Sequence, residues 1–499
     1  MLKLHSKLLF SAALLAAGVF VVACAAVEPD TRIVDAARAQ DVKTVRALLD
    51  QKVDVNARSN DGSTALLWAT HINDPEIVGL LLARGADPNI ANDYLATPLS
   101  AACLNRSSSL AAQFLANGAN PNTALATGET PLMICARTGN LEGVTRLIAL
   151  DANVNAKEPN QNQTALMWAA AERHPEVVKA LIQGRADLNA RSRQGFSAIH
   201  FAARRGDIQT IQILLDAGVD INSLTQTTDR EAARTAAGFT PLLVATLRAE
   251  VDTALYLLDH GADPNIDAAG MTPLHWAATS WEGFASNPVY GFIDPMSGIP
   301  DRAAKLRLVK ALLAHGAKVN TRMTKRQPSF ATGYTDAQGA TPFLLAASVD
   351  DVEMMRILLD AGADPKIGTE TKTTSIMAAT GLNHGIGESL VTEADALAAV
   401  KLLLDLGLDP KGETTFGENA LFGPAYRGWN TLLAQMIDLG VNVNAVSKAG
   451  VTPWLAANGQ GDRLGGVLYN KAGADLLEKH GADPKLGTPC EAQNKCREK

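Results

Sequence analysis

Thr272-Pro273-Leu274-His275-Trp276-Ala277-Ala278 is the stretch that decides the reading, because it returns along the chain at a fixed interval. Ser197-Ala198-Ile199-His200-Phe201-Ala202-Ala203 repeats it closely. The same frame opens at Thr64, Thr97, Thr130, Thr164, Thr240, Thr341, Thr374, Asn419 and Thr452, and one step back from Thr64 lies Thr31. Twelve units result, most of them 33 residues apart. A fixed period of this length marks a stacked array, in which no unit buries its apolar face alone.

The unit at 341–366 shows the physics. Thr341 is a good helix N-cap, and Pro342 at the first helical position loses no hydrogen bond. Phe343 and Leu345 are expected to face inward, while Ala346-Ala347 keep the first helix slim. A turn at 349–351 leads to a second helix whose apolar stripe is read as Val352, Met355 and Leu359. Gly362 ends it in the left-handed conformation. That Gly recurs at 85, 118, 218, 261, 316, 407, 440 and 481, with Lys52, Asp151 and Arg185 in its place in three units. Gly423-Pro424 falls inside the first helix of the unit at 419, where a kink is expected. The first unit, with Arg32, Lys43 and Arg46, reads as the polar N-terminal cap.

A 33-residue period carrying T-P-L-H-x-A is the ankyrin signature, and residues from about 30 to 487 resemble the ankyrin-repeat family. The resemblance implies an all-α solenoid of about twelve helix-turn-helix repeats joined by β-turn hairpins. It also implies a binding module without catalytic residues, which meets another protein through its turn tips and concave face. The chain is similar to long exported ankyrin proteins of bacterial envelopes.

The frame exposes five insertions, near 223–236, 280–303, 322–337, 381–393 and 459–473. Two of them carry Trp281, Phe284, Tyr290, Phe292, Phe330 and Tyr334, a quarter of the chain's Phe, Trp and Tyr. Aromatic side chains dominate interface energetics, so these six are candidate anchors for a protein partner. The competing reading is a local mini-core formed by the two loops packing on each other.

Residues 1–26 stand apart. Lys3, His5 and Lys7 precede an apolar run from Leu8 to Ala23, and small residues surround Cys24. This is the layout of an export signal, and Val21-Val22-Ala23-Cys24 resembles a lipobox in which Cys24 is lipidated. Cleavage at Ala25-Ala26 with simple secretion is the alternative. The expected location is the periplasm or the outer membrane. The organisation is therefore 1–26 signal, 27–487 solenoid and 488–499 polar tail, with Cys490 and Cys496 expected to form a disulfide in that tail.

Chemistry is sparse. With 45 basic against 52 acidic residues and a net charge of −7, the chain lacks the basic stripe of a nucleic-acid groove. No phosphate loop, metalloprotease or nucleophile-elbow motif occurs. His200 and His275 occupy the repeat's own His position; His260, His315 and His480 precede helix-ending Gly residues and read as caps. His384 beside Glu388 is too little for a metal or acid–base site. Cys103 and Cys135 read as small buried thiols. No enzyme activity, cofactor, metal or nucleic-acid partner is expected, and any membrane contact is through the lipid anchor. The expected function is that of a scaffold, adaptor or inhibitor of the cell envelope; an enzyme built from the insertions, or a passive spacer, are the alternatives.

Overall fold

A computed structural model describes residues 30–230, 237–279, 299, 301–325, 337–382, 391–460 and 469–487. Among them are 24 helices, two to each of the twelve units, and one isolated antiparallel bridge between Arg58 and Thr64. First helices pack on first helices of the neighbouring units and second helices on second, so two layers run the length of the chain. One apolar core continues from Ile33 to Ala482.

Local chemistry sets each boundary. The Thr hydroxyls at 64, 97, 130, 164, 240, 341, 374 and 452 each accept from the backbone N–H three residues on. Each second helix ends on a left-handed residue. Gly362 has φ 89°, and Lys52, Asp151 and Arg185 adopt φ 56°, 56° and 64° without the freedom glycine brings. His260, in the cap position, donates from Nδ1 to the Tyr256 carbonyl at 2.7 Å.

Three expectations need correction. In the second helix of the unit at 341, the fully buried side chains are Met354, Met355 and Leu358; Val352 and Leu359 are only half-buried. Asp351 caps that helix through the Met354 N–H, and in this register the central line of the stripe falls between the expected positions. Gly423-Pro424 produces no mid-helix kink. The helix Phe422–Arg427 starts late, so Pro424 sits in its first turn, where the N–H is free of the ladder anyway. A Cβ on Gly423 would lie 2.0 Å from the Thr380 carbonyl oxygen, so this close approach to the preceding unit requires Gly. Cys103 and Cys135 are buried, but they are joined in a disulfide. Their Cα atoms are 4.6 Å apart, because adjacent first helices meet on small residues there.

Two ladders stitch the units together. In the first, the Asn that follows the left-handed cap in eight units accepts from a backbone N–H in the next unit: Asn56 from Asp87, Asn89 from Asn120, Asn122 from Asn153 and Asn155 from Asp187. It continues through Asn222 to Asp263, Asn265 to Lys318, Asn320 to Asp364 and Asn444 to Asp483. Lys366 and Lys411 replace the Asn in two units. In the second ladder, backbone bonds join neighbouring hairpin fingers, as from Asp93 N to Asp61 O and from Ala126 N to Tyr94 O.

Asn rungs cross four of the five insertions, all but that at 381–393. Met323 exchanges backbone bonds with Gly339 and Ala340, and Thr225 with Gly238 and Phe239, which closes the base of two insertions. The second helices after 280–298 and 383–390 are thirteen residues long, against nine in most other units. Both extensions reach forward: Arg302 holds Asp351 and Glu353, and Glu393 accepts from Thr431 N and Leu432 N.

Candidate protein-binding surface

The residues with chemistry to offer serve the frame. His200 and His275 are fully buried and close capping boxes, Nδ1 accepting from the N–H of Ser197 and Thr272. Their Nε2 atoms donate across to the next finger, His200 to the carbonyls of Ser223 and Phe239 and His275 to Thr321. Burial drives both rings down from 6.5, to about 3 for His200, where Arg191 adds to the effect, and to about 4 for His275. They are neutral struts. Glu158 is likewise buried, its carboxylate accepting from the N–H groups of Asn160, Gln161 and Gln163. Among the described residues no group of three or more His, Cys, Asp and Glu could hold a metal ion.

The concave face of units 2–4 differs. Leu67, Trp68, Leu104, Leu125 and Ile134 line an apolar groove of about 270 Å³, with Asp61 and Asn92 on the finger side and His71 and Arg137 on the helix side. Leu104 is 52% exposed at the end of its helix. The cysteines of the disulfide are next to the groove residues Leu104 and Ile134 in sequence, so the bond ties the two helices that form one wall.

The finger 92–96 supplies Asn92 and Ala96 to the groove lining. Asn92 Oδ1 accepts from Tyr94 N and Ala96 N, which holds the tip in one shape. Tyr94 is 70% exposed and Leu95 49%. Leu95 has φ 58° in a register where most units place Gly, Gly62 and Gly128 among them. A left-handed leucine costs about 1–2 kcal/mol, and its exposed side chain recovers little of that by packing. Strain of this kind collects at functional sites.

A second depression of about 410 Å³ follows in units 4 to 6, lined by Glu129, Glu158, Trp168, Phe201 and Arg204. Arg137 lies over the Trp168 ring at 5.5 Å and faces Glu129 at 3.5 Å. Arg38 lies over Trp68 in the same way.

The anchors expected from the sequence, Trp281, Phe284, Tyr290, Phe292, Phe330 and Tyr334, lie outside the described residues, as do Cys24, Cys490, Cys496, His384 and Glu388. The groove and its finger were missed. The available signal was Tyr94-Leu95 standing where the frame calls for a polar residue and Gly.

Comparison with known proteins agrees with this architecture. A family model described as ankyrin repeats (3 copies) matches in overlapping windows from residue 14 to 285, and the single ankyrin repeat matches 338–370. The chain belongs to the ankyrin-repeat family, whose repeats mediate protein–protein contacts. Similar proteins include the ankyrin repeat domain-containing protein SAT10 of Stachybotrys chartarum, 34% identical over 18% of this chain and 4% of that protein. The putative ankyrin repeat protein L371 of Acanthamoeba polyphaga mimivirus is 34% identical over 18% of this chain and 12% of its own. Ankyrin repeat and KH domain-containing protein mask-1 of Caenorhabditis elegans is 35% identical over 18% and 3%. The chain thus spans only a small part of these relatives. Among solved structures, the human ASB11 ankyrin repeat domain covers 46% of this chain and 98% of its own at 23% identity and a TM-score of 0.40.

Proposed function

We propose that this protein is a binding scaffold, adaptor or inhibitor of the bacterial cell envelope, which holds a protein partner on its concave face and insertion loops. The observation that carries the binding reading is the apolar groove of units 2–4, with the exposed Leu104 in its lining and with Asn92 and Ala96 supplied by a finger whose tip exposes Tyr94 and Leu95. A passive spacer has no use for an exposed apolar groove. The aromatic insertion residues Trp281, Phe284, Tyr290, Phe292, Phe330 and Tyr334 are the second candidate contact.

Export rests on the signal-like residues 1–26 and gains support from the Cys103–Cys135 bond, since disulfides persist in oxidising compartments. Lipidation of Cys24 would anchor the chain to a membrane, and a Cys490–Cys496 bond would fit the same compartment. Cys24→Ser is expected to move the protein from the membrane fraction to the soluble one.

The test of binding is capture of the partner from the native envelope by wild type, by Leu104→Asp, and by Trp281→Ala with Tyr334→Ala. Loss of the partner with either variant, at unchanged melting temperature, locates the contact. Undiminished capture by both overturns these two sites.

A further inference from the structure

The register of Cys135, five residues after the N-cap, holds Ala in ten of the other eleven units and Pro424 in the remaining one. First helices meet closely there, and a thiol adds a heavy atom that the frame does not allow for. Unit 4 makes the room on its second helix, Leu141–Ala149. The third position of that helix is Gly143, where most second helices of this length carry a larger side chain, Ile77, Leu110, Val177 and Met354 among them. A Cβ on Gly143 would stand 2.7 Å from Cys135 Sγ. Gly473 has the same place in unit 12, which has Ala457 in the Cys register, and there a Cβ would meet Asn470 instead. The helix 141–149 thus closes directly over the sulfur. Asn140 fastens it, its Oδ1 accepting from Gly143 N at 2.9 Å and from Ser108 Oγ at 2.6 Å. Both cysteines are 0% exposed and Asn140 is 4% exposed.

Thiol–disulfide exchange needs space that this packing denies. A Cys thiolate attacks the disulfide of an oxidant; one oxidant sulfur leaves as thiolate and the other stays on the Cys as a mixed disulfide. The second Cys thiolate then attacks the Cys sulfur of that intermediate and releases the remaining oxidant thiolate. Two Cys thiols are oxidised, one external disulfide is reduced to two thiols, and two protons pass from the former to the latter. The intermediate has to carry the oxidant on Sγ. Where a single methyl group already collides, no such group fits.

We propose that the Cys103–Cys135 bond is made by a disulfide-bearing oxidant on the open array, after unit 3 has formed and before the helix 141–149 docks. Docking then seals the bond against thiols. Until unit 4 packs, Cys103 faces the open end of the stack, because its sulfur points to the helix that unit 4 supplies. Cys135 lies only six residues before Leu141, so the interval is short and the oxidant has to be present where the chain folds. The inference is independent of what the array binds.

The full chain is reduced in urea and divided. One portion is diluted directly into oxidised glutathione; the other is refolded under dithiothreitol, desalted and then given the same reagent. Acid-quenched digests are followed by mass spectrometry. The peptide linked through Cys103 and Cys135, preceded by glutathione adducts of either residue, should appear in the first portion. In the second it should form at least about a hundredfold more slowly, at the rate of local opening, and without adducts. The reverse reaction needs no folded reduced chain. Dithiothreitol should reduce the oxidised protein in native buffer at least about a hundredfold more slowly than it reduces the unfolded chain, and the rate should climb with urea. Asn140→Ala, which unfastens the covering helix, should speed that reduction about fivefold. Absence of the linked peptide from the first portion overturns the inference. So does equal oxidation of a reduced chain that shows the native circular dichroism. Reduction of the native protein at the unfolded rate, or a rate indifferent to urea and to Asn140→Ala, overturns it as well.

Discussion

Glu393 caps a helix that belongs to the next unit: its Oε1 accepts from Thr431 N at 2.7 Å and from Leu432 N at 3.0 Å. The helix Asn430–Asp438 has Trp429 in its own cap position, which offers no acceptor. A carboxylate at a helix N-terminus satisfies free N–H groups and meets the positive end of the dipole. Glu393→Ala should therefore cost about 1 kcal/mol, and amide exchange should quicken first at Thr431 and Leu432. Unchanged exchange at those two amides would show that the cap contributes nothing.

Acid should destabilise the middle of the array. His200 and His275 titrate at about 3 and about 4 in the fold against 6.5 when unfolded. As pH falls below 6.5 the unfolded chain takes up these protons first, so stability present at neutral pH is lost down to the folded values. The loss is about 1.4 kcal/mol per pH unit for each ring. His275→Gln removes one of the two, and its melting temperature should fall less steeply than that of wild type between about pH 6 and 4. Parallel slopes would refute the assignment.

The Cys103–Cys135 bond should appear as a linked peptide in a non-reducing digest. Replacing both with Ser should cost about 2–4 kcal/mol, the range expected for closing a loop of this size, with the loss concentrated in units 3 and 4. Two freely alkylated thiols at these positions in the unreduced protein would contradict the structure.

Leu95→Gly tests the strained finger. Relief of the left-handed leucine should stabilise the chain by about 0.5–1 kcal/mol even though a side chain is removed. Lower stability in chemical denaturation would mean that Leu95 belongs to the core after all.

Much of this fold is legible in the sequence because its constraints are local. A Thr that caps, a Pro that follows it and a Gly that closes the second helix each act within a few residues, so Thr341, Pro342 and Gly362 can be read one at a time. Lys52, Asp151 and Arg185 stand in the register of that Gly, and all three adopt its left-handed conformation. The disulfide was not read, because Cys103 and Cys135 are 32 residues apart in a 33-residue frame, and only the packed helices bring them opposite each other. The Asn ladder was visible at 56, 89, 122 and 155 but has meaning only once the acceptor of one unit is set against the donor of the next. The groove depends on what surrounds Trp68 and Leu104, which no single repeat records.

Seven of the eight Asn rungs bind partners no more than 44 residues away; the longest, from Asn265 to Lys318, spans 53. A chain that folds as it is made, from its N-terminus, would thus close each of these seven rungs soon after its acceptor is built. A helix pair so made finds its template already standing, save where Asn189, Lys366 and Lys411 leave no rung. Among the rungs, the span from 265 to 318 is where closure waits longest.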